Sequence, residues 1–129
     1  MDIEELIEQI LSCASFVRKT LGDGFLESVY QSALMKELEY RGIPAEREVP
    51  IKIYFRDEPI ADFRADILVD KRVILELKAV SDLNQSHERQ LINYLKATKI
   101  DHGLLLNFGG HKLEAKRKFR IYKSSQPSY

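Results

Sequence analysis

A chain of 129 residues with 20 basic and 20 acidic side chains is long enough for one hydrophobic core and too short for two ordinary ones. The even charge excludes a bulk attraction to nucleic acid or membrane, so any such binding has to come from local patches. The lone cysteine, Cys13, excludes an intrachain disulfide and a multi-cysteine zinc site.

Asp2, Glu4 and Glu5 replace the basic start of a signal peptide, and no apolar run approaches the roughly 20 residues that span a bilayer. The expectation is one cytoplasmic domain over 1–129, with 124–129 as a flexible tail. Apolar residues at Ile3, Leu6, Ile7, Ile10, Leu11, Ala14, Val17 and Leu21 predict an amphipathic first helix, capped by Asp2. Cys13 falls on its apolar stripe and reads as a small core residue rather than a nucleophile. Gly22-Asp23-Gly24 ends that helix. A second is expected from Phe25 or Leu26 to about Arg41, burying Leu26, Val29, Tyr30, Ala33, Leu34 and Leu38, with Gly42 as its stop. Glu27, in its first turn, either complements the helix dipole or serves a site.

After Pro44 the pattern alternates: Val49, Ile51, Ile53 and Phe55 on one side of a half-buried strand, Glu48, Lys52 and Tyr54 on the other. Pro50 cannot donate to a ladder, which places this strand at an edge or a bulge. A polar turn at 56–59 leads to a second strand with Ala61, Phe63, Ala65, Ile67 and Val69 on one face. The third, from Val73 to about Ala79, is apolar apart from Glu76 and Lys78, as for a central strand covered on both sides. A third helix is expected from about Ser86 to Thr98, with His87, Gln90, Leu91 and Tyr94 on one face. A short buried strand over 103–108 and a last one within Ala115 to Tyr122 complete the order helix, helix, three strands, helix, two strands (ααβββαββ). That is an α/β sandwich with a mixed central sheet, since the first three strands follow one another without crossover helices. Lys116, Arg117, Lys118, Arg120 and Lys123 cluster in the last segment, either as a solvated face or as a phosphate-attracting one.

The charges inside the central strands need a reason. Glu76 and Lys78 share parity and project to one side of their strand. If residues 70–72 form a short loop with Val69 facing Val73, Asp66 falls across from Glu76, and a slip of one residue would separate them. Two carboxylates beside an ammonium suit a hard divalent cation and an anionic substrate; the competing reading is a cross-strand salt bridge in which Lys78 neutralises both acids. No glycine-rich phosphate loop, paired metal-spacing histidines or serine nucleophile elbow is present.

The run from Asp66 through Glu76-Leu77-Lys78 resembles the Asp, Glu-x-Lys core of the PD-(D/E)XK nuclease superfamily, with Ala65 standing where its name has proline. Gly24-Phe25-Leu26-Glu27-Ser28-Val29-Tyr30 is similar to the GxxExxY signature of one family in it, and Gln90-Leu91-Ile92-Asn93-Tyr94 to the Gln-x-x-x-Tyr helix of RecB-like nucleases. The resemblance implies a restriction-endonuclease-like α/β/α sandwich and a Mg2+ (or Mn2+) dependent nuclease acting on nucleic acid, DNA first. It implies that Asp66, Glu76, the Leu77 carbonyl and Glu27 bind the metal, that Lys78 orients water and stabilises the phosphate, and that Gln90 and Tyr94 face the site. Tyr30, His87, Arg117 and Lys118 are expected to contact substrate, His87 with capping of the third helix as its alternative. Two rival readings are a nuclease-like fold that binds nucleic acid through the basic last strand without cutting, and a metal-free module that assembles into homo-oligomers.

Overall fold

The computed structural model describes residues 1–120; the expected tail at 124–129 and the end of the last strand at Tyr122 lie outside them. Helix α1 (Ile3–Leu21) begins where Asp2 Oδ1 accepts the Glu5 N–H at 2.8 Å and ends at Gly22, whose φ of 74° few other residues adopt. Its stripe of Leu6, Ile10, Cys13, Ala14 and Val17 is buried as the spacing requires. Helix α2 (Glu27–Tyr40) buries Tyr30, Gln31, Leu34 and Leu38. Leu26 and Val29, expected in the core, are instead 76% and 37% exposed. The first turn of α2 stands over a notch in the sheet, where no core exists to receive them. No helix of the described residues is long and apolar enough to cross a membrane.

Strands β1 (Ala45–Phe55), β2 (Glu58–Val69), β3 (Val73–Lys78), β4 (His102–Asn107) and β5 (Glu114–Phe119) form one mixed sheet in the order β1-β2-β3-β4-β5. Only β3 and β4 are parallel, as their connection through α3 (Gln85–Thr98) demands. Helices α1 and α2 pack on one face through Ile67, Val69, Leu75, Leu77 and Leu104; α3 packs on the other through Leu68, Ile74, Leu91, Leu95 and Leu105. The order ααβββαββ and the restriction-endonuclease-like α/β/α layering expected from the sequence are both present. Central β3 is buried throughout except at Lys78, matching its apolar run.

The two hairpins follow their turns. Arg56 and Asp57, both at positive φ, close β1 onto β2; Asp70 and Lys71, also at positive φ, close β2 onto β3, with Arg72 N–H donating to Val69 O at 2.9 Å. The pairs Val69↔Val73, Leu68↔Ile74 and Ile67↔Leu75 fix the register anticipated for the second hairpin. Pro50 lies on β1, an edge strand, as its missing N–H requires, whereas the register shift sits further along, between Ile53 and Tyr54.

One expectation about β2 fails. Ala61 to Val69 do not keep one face: Ala65 joins the α3-side core while Ile67 and Val69 join the opposite one. Residues 65 and 67 share parity, so regular alternation would place them together. The change of face occurs at Asp66. Opposite it in the β1 register stands Glu48 at a φ of 53°, and the rung these two would form is missing from an otherwise continuous ladder. Beyond this point β1 and β2 continue as a two-stranded arm that, among the described residues, pairs with no other strand and leans on α3.

Candidate active site

The missing rung leaves the main-chain groups of Asp66 to find other partners, because buried amides and carbonyls are not left unpaired. Asp66 N–H donates to Glu76 Oε1 at 3.1 Å, and Asp66 O accepts from Gln31 Nε2 at 2.9 Å. In return, Asp66 Oδ2 accepts the Leu77 N–H at 2.8 Å. Each acid therefore holds the strand that carries the other. The β2–β3 ladder stops at Ile67↔Leu75, and the carboxylates fill the notch where the strands part. Lys78 O accepts from Phe108 N–H, toward β4. Successive strand residues turn their main-chain groups to opposite neighbours, so the Leu77 carbonyl faces β2 and the notch.

The notch, of about 400 Å³, is lined by Leu26, Glu27, Ser28, Gln31, Glu48, Asp66 and Leu77. Glu76 is 4% exposed; burial, then the charge of Asp66, pushes its carboxyl up to about 8. Asp66 is raised by burial and by Glu48, against the pull of the Leu77 N–H. Glu27 stands at the rim, its carboxyl raised first by partial desolvation and then by Asp66. From the α3 side Tyr94 closes the back: burial, then the charges of Glu76 and Asp66, push its phenol up to about 12. Gln90, one turn earlier on α3, lines the adjoining groove.

Among the described residues Lys78 forms no ion pair with either acid, which removes the salt-bridge reading of the three charges. The exit from β3 beyond Lys78 is fixed by buried Asn107, which accepts from Val80 N–H at 3.0 Å and donates to Val80 O at 2.9 Å and to Glu114 at 3.0 Å. A Cβ on Gly109 would come within 2.5 Å of the main chain at Ala79 and Val80, so no side chain fits there.

Asp66, Glu76, Leu77, Lys78 and Glu27 are thus brought together, with Tyr94 and Gln90 behind them. Four other residues expected to contact substrate are not. Tyr30 is fully buried, stacked on Phe108 with centroids 4.8 Å apart, and its hydroxyl donates to Gly22 O at 2.7 Å and accepts from Phe25 N–H at 3.3 Å. It anchors the loop that aims Glu27. His87 Nδ1 accepts the Asn84 N–H at 3.2 Å while Asn84 Oδ1 accepts His87 N–H at 3.2 Å, a reciprocal cap of α3. Arg117 pairs with Glu4 at 2.7 Å on the α1 side, and Lys118 pairs with Glu88 on the α3 side. Strand β5 is separated from β3 by β4. Lys116 also pairs with Glu88 and Arg120 with Asp101, so the described part of the basic run, from Lys116 to Arg120, is an ion-paired edge, and Lys123 lies outside the described residues.

Two residues of the notch escaped the sequence reading. Gln31, 6% exposed, donates to both Asp66 O and Glu48 Oε1 and accepts from Arg47; it lies one helical turn after Glu27, the spacing that could have flagged it. Glu48 falls opposite Asp66 once the hairpin register is known. Nothing in the sequence announces its left-handed backbone.

A layered α/β/α domain whose paired acids and unpaired lysine meet where two strands diverge defines a restriction-endonuclease-like protein. A family model described as the PD-(D/E)XK nuclease superfamily matches residues 4–118, and the chain belongs to that superfamily. Among solved structures, one titled "Crystal structure of SSO0001" superposes with a TM-score of 0.59 at 18% identity, covering 75% of this chain and 52% of its own. The chain spans about half the length of that protein, and at this identity the likeness shows the fold. No curated protein matches the sequence.

Proposed function

We propose that residues 1–129 act as one divalent-metal-dependent nuclease domain of the GxxExxY type, hydrolysing phosphodiester bonds in nucleic acid, DNA first, with Mg2+ (or Mn2+). The observation that carries the reading is the pair Asp66 and Glu76, each holding the other's strand, beside an ammonium that neither has captured.

The donor set fits a hard cation. Mg2+ takes one or two carboxylates and keeps waters and substrate phosphate for the rest. Asp66 and Glu76 each spend one oxygen on a main-chain amide and have a second to offer. The Leu77 carbonyl faces the same space, and Glu27 can reach in directly or through water. Burial first, and then neighbouring acids, raise the carboxyls of all three, and a cation held among them would favour their charged forms. Bound there, the cation neutralises phosphate charge and makes its water more acidic.

The chain's own residues do the remaining work. Lys78 would orient the attacking water and donate to a non-bridging phosphate oxygen, supporting the negative charge that develops on the phosphoryl oxygens. Tyr94 keeps bulk water from the back of the acids. Gln90 offers a carboxamide to the substrate backbone. Against the rival reading, a binding module that relies on the basic last strand, stands the ion pairing of Lys116, Arg117, Lys118 and Arg120. The test is cleavage of single- and double-stranded DNA and RNA by purified protein with Mg2+, Mn2+ or chelator. Metal-dependent cutting that falls about 100-fold or more in Lys78→Ala upholds the proposal. No cutting with either metal, or equal cutting by the variant, overturns it. Calorimetric titration of the metal gives a second readout, with binding expected to be lost in Asp66→Asn.

A further inference from the structure

We propose that the groove between the β1–β2 arm and α3 holds an unpaired nucleic-acid strand, one base stacked on Phe63, and that the protein therefore prefers single strands and frayed ends to closed duplex. The direction of this inference rests on the nuclease reading above, while Phe63, Arg89, Asn93 and Lys96, which line the groove beside Gln90 and Tyr94, are residues that reading leaves idle.

The groove has a volume of about 620 Å³, within the range that holds a small ligand. Its arm side is Ile53 and Phe63. The Phe63 ring is 42% exposed and tilts at 43° against the Tyr94 ring, with centroids 5.6 Å apart. Its helix side follows one stripe of α3, where Gln90 and Asn93 supply carboxamides and Arg89 and Lys96 supply cations at the exposed rim.

An apolar floor alone would suit many partners. An open aromatic shelf, amide edges and two like charges in one trough match the three parts of a nucleotide: a ring to stack, an edge to hydrogen-bond and a phosphate to neutralise. Among the described residues Arg89 and Lys96 are not drawn into ion pairs, unlike the cations of β5. Tyr94 belongs to both places, lining the groove and backing Glu76 and Asp66. A strand lying in the groove thus runs toward the acids. A paired base shows only its edge, so a duplex would have to unstack before a base could lie on Phe63.

The test uses the whole protein in chelator, so that nothing is cut, with a fluorescent single-stranded DNA oligonucleotide, the same sequence as RNA, and its blunt DNA duplex. Single strands of either sugar should bind at least about tenfold tighter than the duplex. Phe63→Ala should weaken single-strand binding about tenfold and leave duplex binding alone. Arg89→Glu, at an exposed position that supports no packing, should weaken it as well and flatten its salt dependence. A 2-aminopurine base in the oligonucleotide should be quenched by wild type and not by Phe63→Ala. Duplex binding equal to single-strand binding, or both variants binding as wild type does, overturns the proposal. If metal-loaded protein cuts blunt duplex as fast as single strand, the groove inference falls and the nuclease reading stands. If nothing is cut while Phe63-dependent single-strand binding persists, the nuclease reading falls and the groove stands.

Discussion

Glu76→Gln should make the metal-free protein more stable at neutral pH even as it removes activity. The carboxyl of Glu76 sits at 4% exposure next to Asp66 and is raised from 4.5 to about 8. A folded state that holds a proton more tightly than the unfolded chain loses stability as pH rises between those two values, and loses none below the unfolded one. With about 1.4 kcal/mol for each tenfold of proton affinity, holding Glu76 in the fold costs about 3 kcal/mol at pH 7. Roughly the same amount separates stability at pH 5 from stability at pH 8. Glutamine keeps an oxygen for the Asp66 N–H and carries no charge, so the variant should lose most of this slope and gain up to about 3 kcal/mol at pH 7. Urea unfolding in chelator across pH 5 to 8, wild type against variant, measures both. Divalent metal should narrow the difference by stabilising wild type alone. A wild-type stability that rises over this window, or a variant with an unchanged slope, would refute the claim that Glu76 is a buried, uncompensated acid.

Gln31→Leu strips the Asp66 carbonyl and Glu48 of a donor, and should cost about 1–3 kcal/mol in thermal or urea unfolding while lowering turnover. Gly109→Ala puts a Cβ against the main chain at Ala79 and Val80; denaturant titration should show a loss of about 2 kcal/mol or more. Replacing Arg117 and Lys118 together by Gln should leave nucleic-acid affinity within about twofold in an anisotropy titration, because both cations already face Glu4 and Glu88. Tyr30→Phe loses both hydroxyl bonds of the loop before Glu27 and should melt earlier by an amount matching about 1–2 kcal/mol.

Elements governed by local rules were readable in the sequence. The cap at Asp2, the stripe of α1, the edge position imposed by Pro50 and the hairpin at 70–72 each follow from one residue's backbone or burial preference. Asp66 facing Glu76 was readable because strand parity and a short loop leave few registers. What parity could not supply was its own interruption: the face change at Asp66 depends on Glu48 adopting a left-handed backbone and on Gln31 arriving from a helix far away in sequence. The same limit applies to the residues expected to contact substrate, of which His87 takes its alternative role as a cap. Tyr30, His87, Arg117 and Lys118 carry reactive-looking groups, and only the folded arrangement reveals that Gly22, Asn84, Glu4 and Glu88 have already taken them. Leu26 and Val29 were placed in the core by helical periodicity, which assumes that the helix lies on a sheet along its whole length.

The absent rung between Glu48 and Asp66 also decides how force travels through the molecule. The arm of β1 and β2 meets the rest of the sheet through three residue pairs, the last at Ile67↔Leu75, and its root is the residue that carries Asp66. A pull on the arm, whether from thermal bending or from a strand drawn along its inner side, is delivered at that root before it reaches any other part of the sheet. Asp66 is gripped there by side chains of α2 and β3 rather than by a neighbouring backbone, and those grips set how far the two acids can be drawn apart. Deuterium uptake at the Asp66 amide would therefore gauge the arm's tension.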